Sequence, residues 1–150
     1  MHTEKTVNNL HLSTNSSKLQ FEVIYQFLSK SYWSEGISKS RMIRAIENSI
    51  NIGVYQEGNQ VAYARLITDK ATFAYLCDVF VLESHRGQGI SKQMMQFMHE
   101  LPELSGLKRI VLATKDAHGL YSQYQFKSLA QPDLYMEINR SGIYKTLLED

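Results

Sequence analysis

Apolar positions follow a helical period in the first third of the chain and then change to a strand period. "LHLS" (Leu10 to Ser13) reads as a short first strand. In "SSKLQFEVIYQFLSKSYW", Leu19, Val23 and Phe27 recur at helical spacing with Ile24 and Leu28 alongside, and Ser16 or Ser17 is offered as N-cap. "SKSRMIRAIENSI" repeats that spacing at Ile43, Ile46 and Ile50, with Ser38 as cap. Then "NIGVYQ", "VAYARLIT" and "TFAYLCDVFVL" predict three strands. Gly58-Asn59 is a hairpin turn between the first two, and Asp69-Lys70 marks the second turn. Connections this short make the three strands antiparallel. The third is nearly all apolar, which predicts that both its faces are covered.

Further on, Ile90, Met94, Met98 and Leu101 lie along one side of a helix that Pro102 and Gly106 end. "KRIVLA" follows as a strand. A strand, a crossover helix and a strand make a βαβ unit, so this pair is expected to be parallel. A short helix at "HGLYSQY" and two terminal strands near "KSLA" and "LYMEI" complete a mixed α/β fold of the α+β class. There is no repeat, low-complexity tract or linker. The expectation is one domain over residues 1–150, with 139–150 as a loose tail.

Composition narrows the classes. The chain has 150 residues, net charge +1 and one cysteine. A chain so near neutral has no basic field for nucleic acid. Its start is polar, without the apolar core of a signal peptide, and no apolar run approaches the ~18–20 residues of a membrane span. The lone Cys77 makes no internal disulfide, and no Cys/His spacing suits a metal. The expectation is a cytoplasmic protein with no nucleic acid, membrane or metal partner. His2, His11, His85 and His99 show no ligand spacing, and Met94, Met95 and Met98 read as core.

The stretch "CDVFVLESHRGQGISKQMMQFM" carries the chemistry. A buried strand ends in a basic turn with two glycines, and a helix starts at once. A helix N-terminus holds unpaired N–H groups and partial positive charge, and glycine lets an anion approach them. Each such contact contributes only about 0.3–1 kcal/mol, so several N–H groups must converge with a cation such as Arg86. A plain tight strand-to-helix turn explains the glycines equally well. Two nucleotide motifs fail. Ile90-Ser91 stands where the Walker pattern needs Lys-Ser or Lys-Thr, and Lys92 stands where the dinucleotide fingerprint needs a third glycine.

"VFVLESHRGQGIS" followed by "HGLYSQYQF" resembles the GNAT superfamily of acetyl-CoA-dependent N-acetyltransferases. The family's phosphate loop is matched by Arg86, Gly87, Gln88, Gly89, Ile90 and Ser91, and the element order fits across most of the chain. The resemblance implies a central, mostly antiparallel sheet with helices on both faces and a splayed parallel strand pair. It implies acetyl-CoA as co-substrate, its pantetheine arm along Val79, Phe80 and Val81 and its pyrophosphate on the loop. It places Tyr121 near the thioester sulfur. Ser91 replaces the family's usual Gly or Ala, and Gln125 stands where the family usually has glycine. A homodimer is within what the resemblance allows.

The implied chemistry assigns roles. A lysine-like amine, pKa ~10.4, is mostly protonated at pH 7, and freeing its lone pair costs about 4.6 kcal/mol. A base, or a water chain to one, therefore helps. Asp78, a carboxylate inside an apolar strand, is one candidate for general base or acceptor contact. His118, at the start of the helix that carries Tyr121, is another, since histidine exchanges protons near neutral pH. A strand N–H near Val79 or Phe80 would stabilise the oxyanion, and Tyr121 would donate to the leaving thiolate. "SYWSEGIS" falls where the family lines its acceptor pocket, making Tyr32 and Trp33 substrate walls, with Tyr63 and Arg65 joining from one strand face. The functional reading is acetyl transfer to a primary amine, on a small molecule or peptide, by direct attack in a ternary complex. The rival is a domain that binds acyl-CoA without turnover. Tyr121 speaks against that rival and Gln125 for it.

Overall fold

The computed structural model describes residues 1–147. Six strands form one sheet in chain order: β1 (Glu4–Val7), β2 (Leu10–Ser13), β3 (Ile50–Gln56), β4 (Asn59–Thr68), β5 (Phe73–Val81) and β6 (Arg109–Leu112). Neighbours from β1 to β5 are antiparallel, and β5–β6 is parallel, as the crossover demands. The helices are α1 (Phe21–Leu28), α2 (Lys39–Glu47), α3 (Ile90–His99) and α4 (His118–Ser122).

Each sheet face has its own core. On one, Leu12, Ile52, Val54 and Leu66 pack with Ile90, Met94 and Met98 of α3. On the other, Ile24 and Leu28 of α1 and Met42 of α2 pack with Tyr63 and Phe80. The mixed fold class, the helices on both faces and the parallel pair are as the sequence predicts.

Several boundaries differ, each for a local reason. Ser38 caps α2 as expected, accepting from the Arg41 N–H at 3.2 Å. Neither Ser16 nor Ser17 caps α1. They belong to a separate turn, Ser16–Lys18, capped by Asn15. The start of α1 is instead tied to β4, where the Gln20 and Gln60 side chains each accept the other's backbone N–H, at 3.0 and 2.8 Å. Ile50 opens β3 rather than extending α2. The first hairpin turns at Glu57-Gly58, not at Gly58-Asn59. Asn59 already pairs with Gln56, and both turn residues have positive φ, 51° and 80°. At the second turn, Asp69 accepts from the N–H groups of Ala71, Thr72 and Phe73.

Polar β1 has no sequence expectation, because its alternation is too hydrophilic. Its one signal is Asn8-Asn9, the turn into β2, with Asn8 at φ 55°. The expected terminal strands do not form. Residues 127–130 are coil, and a 3-10 turn at Pro132–Leu134 breaks into the second expected strand. A strand needs a partner ladder, and among the described residues this segment has none, although its Tyr135 side chain meets Arg109 of β6. In the expected tail, Ile143–Lys145 is a 3-10 turn and Tyr144 packs on the second core; 148–150 lie outside the described residues.

Candidate active site

β5 and β6 pair only from Phe73–Arg109 to Leu76–Leu112. Beyond that point they diverge, and from Cys77 to Val81 the edge of β5 that faces β6 has no strand partner among the described residues. The opening between them is a cleft of about 870 Å³. It is bounded by β5, by the glycine loop and start of α3, by the segment from Leu112 to Tyr121, and by Tyr32 and Trp33 from the α1–α2 connection.

The glycine loop forms one end. Gly87 and Gly89 have φ 78° and 75°, a conformation that disfavours any residue with a Cβ. Gly89 is the N-cap of α3 and supplies no capping side chain, so among the described residues no side chain caps the first N–H groups of α3. Arg86 folds back and donates from Nε to the Val81 carbonyl at 3.2 Å, fixing the loop to the end of β5.

Midway along the wall, β5 carries a bulge. Tyr63 faces Phe80 and Arg65 faces Cys77, so Asp78 and Val79 together stand opposite Ala64. Asp78 takes up the extra residue at φ 54°. The bulge reverses the alternation: Leu76, Val79 and Val81 all reach the same core, which a strict two-residue period forbids. Tyr75, Cys77 and Val79 are only half covered along the cleft, so the expectation of a strand covered on both faces is corrected.

The Asp78 side chain is buried at the cleft wall. Its Oδ2 accepts from Arg65 Nε at 2.8 Å and its Oδ1 from Trp33 Nε1 at 2.8 Å. Arg65 also donates to Ser49 Oγ at 3.0 Å. Burial opposes the charge on Arg65, and the Asp78 carboxylate outweighs it, so the guanidinium is held even more firmly protonated than usual. Burial pushes the Cys77 thiol up to about 12, so it stands in the cleft as a neutral thiol, not a thiolate.

Tyr121, on α4, lines the opposite side and rests edge-on against Phe126. Burial, reinforced by Asp116, raises its hydroxyl above the usual tyrosine value and keeps it a donor. Tyr32 and Trp33 meet edge to face at the mouth, and Lys115 Nζ lies 4.1 Å above the Tyr32 ring.

Of the residues singled out in the sequence, the cleft gathers Tyr32, Trp33, Asp78, Val79, Phe80, Val81, Arg86, Gly87, Gly89, Ile90, Ser91 and Tyr121. It does not gather the other four. Tyr63 is fully buried and donates to Asn51 Oδ1 beneath α1 and α2, so it is no substrate wall. Arg65 reaches the site only through Asp78. Gln88 and His118 are both exposed and lie outside the cleft lining. Cys77 and Tyr75 were legible only as strand residues, and Lys115 and Asp116 sit in a loop whose sequence carries no pattern. Among the described residues no cluster of three or more His, Cys, Asp or Glu could hold a metal ion, and no helix is long and apolar enough to cross a membrane.

Comparison with known proteins adds to this geometry. The family model described as an acetyltransferase (GNAT) domain matches residues 47–128. A candidate acetyltransferase of Gibberella zeae is 30% identical over 133 residues, covering 75% of each chain. The crystal structure of a candidate GNAT-family acetyltransferase from Xanthomonas campestris pv. campestris is 44% identical, with TM-score 0.89, covering 93% of this chain and 99% of that one. A candidate acetyltransferase from Clostridium acetobutylicum, crystallised with acetyl-CoA, shares the fold at 14% identity and TM-score 0.60, covering 93% of this chain and 96% of that one.

Proposed function

This chain belongs to the GNAT acetyltransferase family, and from that premise we propose that it transfers acetyl from acetyl-CoA to a primary amine by direct attack in a ternary complex. The observation that carries the proposal is one cleft in which three features meet: the unpaired edge of β5, the uncapped start of α3 behind Gly87 and Gly89, and the protonated Tyr121. The residues suit the co-substrate. The glycine loop and the start of α3 suit a pyrophosphate, because a helix N-terminus carries unpaired N–H groups, and the free β5 edge suits an extended amide chain. When bound, acetyl-CoA supplies the activated acetyl group.

The chain's own groups then have distinct tasks. An N–H of Val79 or Phe80, on the open edge, donates to the carbonyl oxygen as charge develops there; one such donor is typically worth ~2.7–4 kcal/mol. The Tyr121 hydroxyl donates to the departing sulfur. Burial favours the neutral Cys77 thiol over the thiolate, which supports direct transfer.

Asp78 is a positioning residue in this reading. Both its oxygens already accept hydrogen bonds, from Arg65 and from Trp33, so it fixes Trp33 at the acceptor wall. His118 lies outside the cleft lining. The amine proton therefore leaves through water at the cleft mouth, past Tyr32 and Lys115.

The test is an acetyl-CoA turnover screen over a panel of primary amines, with product identified by mass spectrometry. Acetylated amine formed by wild type and lost in Tyr121→Phe is the expected outcome. Tight acetyl-CoA binding with no acetylated product across a broad panel would replace this reading with a domain that binds the thioester without turnover.

A further inference from the structure

We infer that the amine acetylated by this chain also carries an anionic group, a carboxylate or a phosphate, and that Lys115 holds that group at the cleft mouth; this rests on the acetyl transfer proposed above and adds the class of acceptor. Among the cations lining the cleft, Arg86 and Lys92 belong to the glycine loop and the first turn of α3, the end suited to the pyrophosphate. Arg86 is also tied to the Val81 carbonyl. Lys115 stands at the other end, in the segment between β6 and α4. Its Nζ rests over the Tyr32 ring, and among the described residues it meets no carboxylate. A ring face attracts an ammonium without neutralising it, so Lys115 keeps its charge and its N–H donors for a ligand.

The carboxylates of the cleft divide in the same way. Asp78 has both oxygens occupied, by Arg65 and Trp33. Asp116 makes its charge felt at Tyr121, whose hydroxyl it helps to keep protonated. The mouth therefore sets a negative charge on the Tyr121 side against a positive one at Tyr32. An acceptor ammonium is drawn to the first, beside the group that serves the departing sulfur. An anion on the same acceptor is drawn to the second.

Between these charges lies aromatic surface. Tyr32 and Trp33 meet edge to face and are 65% and 42% exposed, and the indole is fixed by its 2.8 Å bond to Asp78. That surface suits the carbon frame joining the two charged groups of the acceptor. A diamine fits the mouth poorly, because its second ammonium would meet Lys115, and like charges brought together discriminate against the wrong ligand.

The experiment uses matched amines with and without an adjacent anionic group, with product identified by mass spectrometry. Phenylalanine against phenethylamine reports on a carboxylate, and phosphoethanolamine against ethanolamine on a phosphate; further pairs vary the side chain. Wild type is expected to favour the anionic member of a pair by roughly 10-fold or more in kcat/KM, the range for a hydrogen bond to a charged group. Lys115→Met is expected to bring that ratio to about one, and Lys115→Arg, which keeps the charge, to retain the preference. A purely structural role for Lys115 moves both members of a pair together and leaves the ratio as it was. Wild type that acetylates amines with no preference for the anionic members overturns the inference and leaves acetyl transfer standing. A preference that survives in Lys115→Met overturns it too. Wild type that acetylates no amine in any pair removes the acetyl-transfer reading itself, and this inference falls with it.

Discussion

Arg65 and Asp78 meet across adjacent strands as a buried ion pair, Nε to Oδ2 at 2.8 Å, at the point where β5 bulges. The bulge turns the carboxylate towards α1 and α2, where Trp33 takes its second oxygen. Asp78→Asn preserves the shape, tolerates the left-handed backbone and still accepts from Trp33. It leaves Arg65 buried without a counter-charge, and breaking such pairs costs about 3–5 kcal/mol. Urea unfolding should show a drop of that order with an unchanged denaturant slope. The slope of the pH–rate profile should match wild type, since the proposed reaction uses water as proton acceptor. A lost limb of the profile would instead make Asp78 the base.

Tyr121→Phe keeps the ring against Phe126 and removes the hydroxyl. Turnover is expected to fall roughly 10²-fold or more, the usual range for loss of a general acid, with acetyl-CoA affinity nearly unchanged. In wild type the donor form is the protonated one, and burial raises its pKa above the ordinary 10. Activity that depends on it is therefore intact below pH 10 and falls only as pH rises through the raised value. Turnover followed as acetylated product from pH 6 to about 10.5 checks this; a decline near pH 8 would assign the limb to another group.

Gly89→Val tests the loop. A Cβ there meets nothing within 4 Å, so the effect is not a clash within the chain. The positive φ costs a β-branched residue about 1–2 kcal/mol, and the side chain obstructs the start of α3. Acetyl-CoA should raise the melting temperature of wild type and not of the variant. Gly106→Ala, which also meets nothing within 4 Å, serves as the control and should behave as wild type. Unchanged acetyl-CoA affinity of the valine variant by calorimetry would place the pyrophosphate elsewhere.

Tyr55 and Gly53 form a packing constraint far from the cleft. A Cβ on Gly53 would lie 2.3 Å from Tyr55 Oη, and that hydroxyl is buried without a partner among the described residues. Gly53→Ala is expected to cost about 1–3 kcal/mol through overpacking. Tyr55→Phe removes an unsatisfied hydroxyl and should be neutral or stabilising by up to ~1 kcal/mol. Thermal and urea unfolding of both variants give the check; a large loss in Tyr55→Phe would reveal a partner for the hydroxyl.

What the sequence by itself determined lies where structure depends on neighbours in the chain. The cap at Ser38, the apolar stripe of α3, the strands β3 to β5 and the glycine loop depend on periodicity, capping and φ > 0, all local properties. Gln125 belongs with them, since its φ of 74° is the strain expected where the resembling family places glycine. Tertiary structure decided the rest. A single bulge reversed the alternation of β5 and brought Asp78 against Arg65 and Trp33. Tyr63 and Arg65 share a strand face, yet α1 and α2 cover only one of them completely, so one is core and the other reaches the cleft wall through Asp78. The apolar alternation of 134–138 reads as a strand in any local window. A strand exists only where another supplies the hydrogen bonds, and no stretch of sequence contains its own partner.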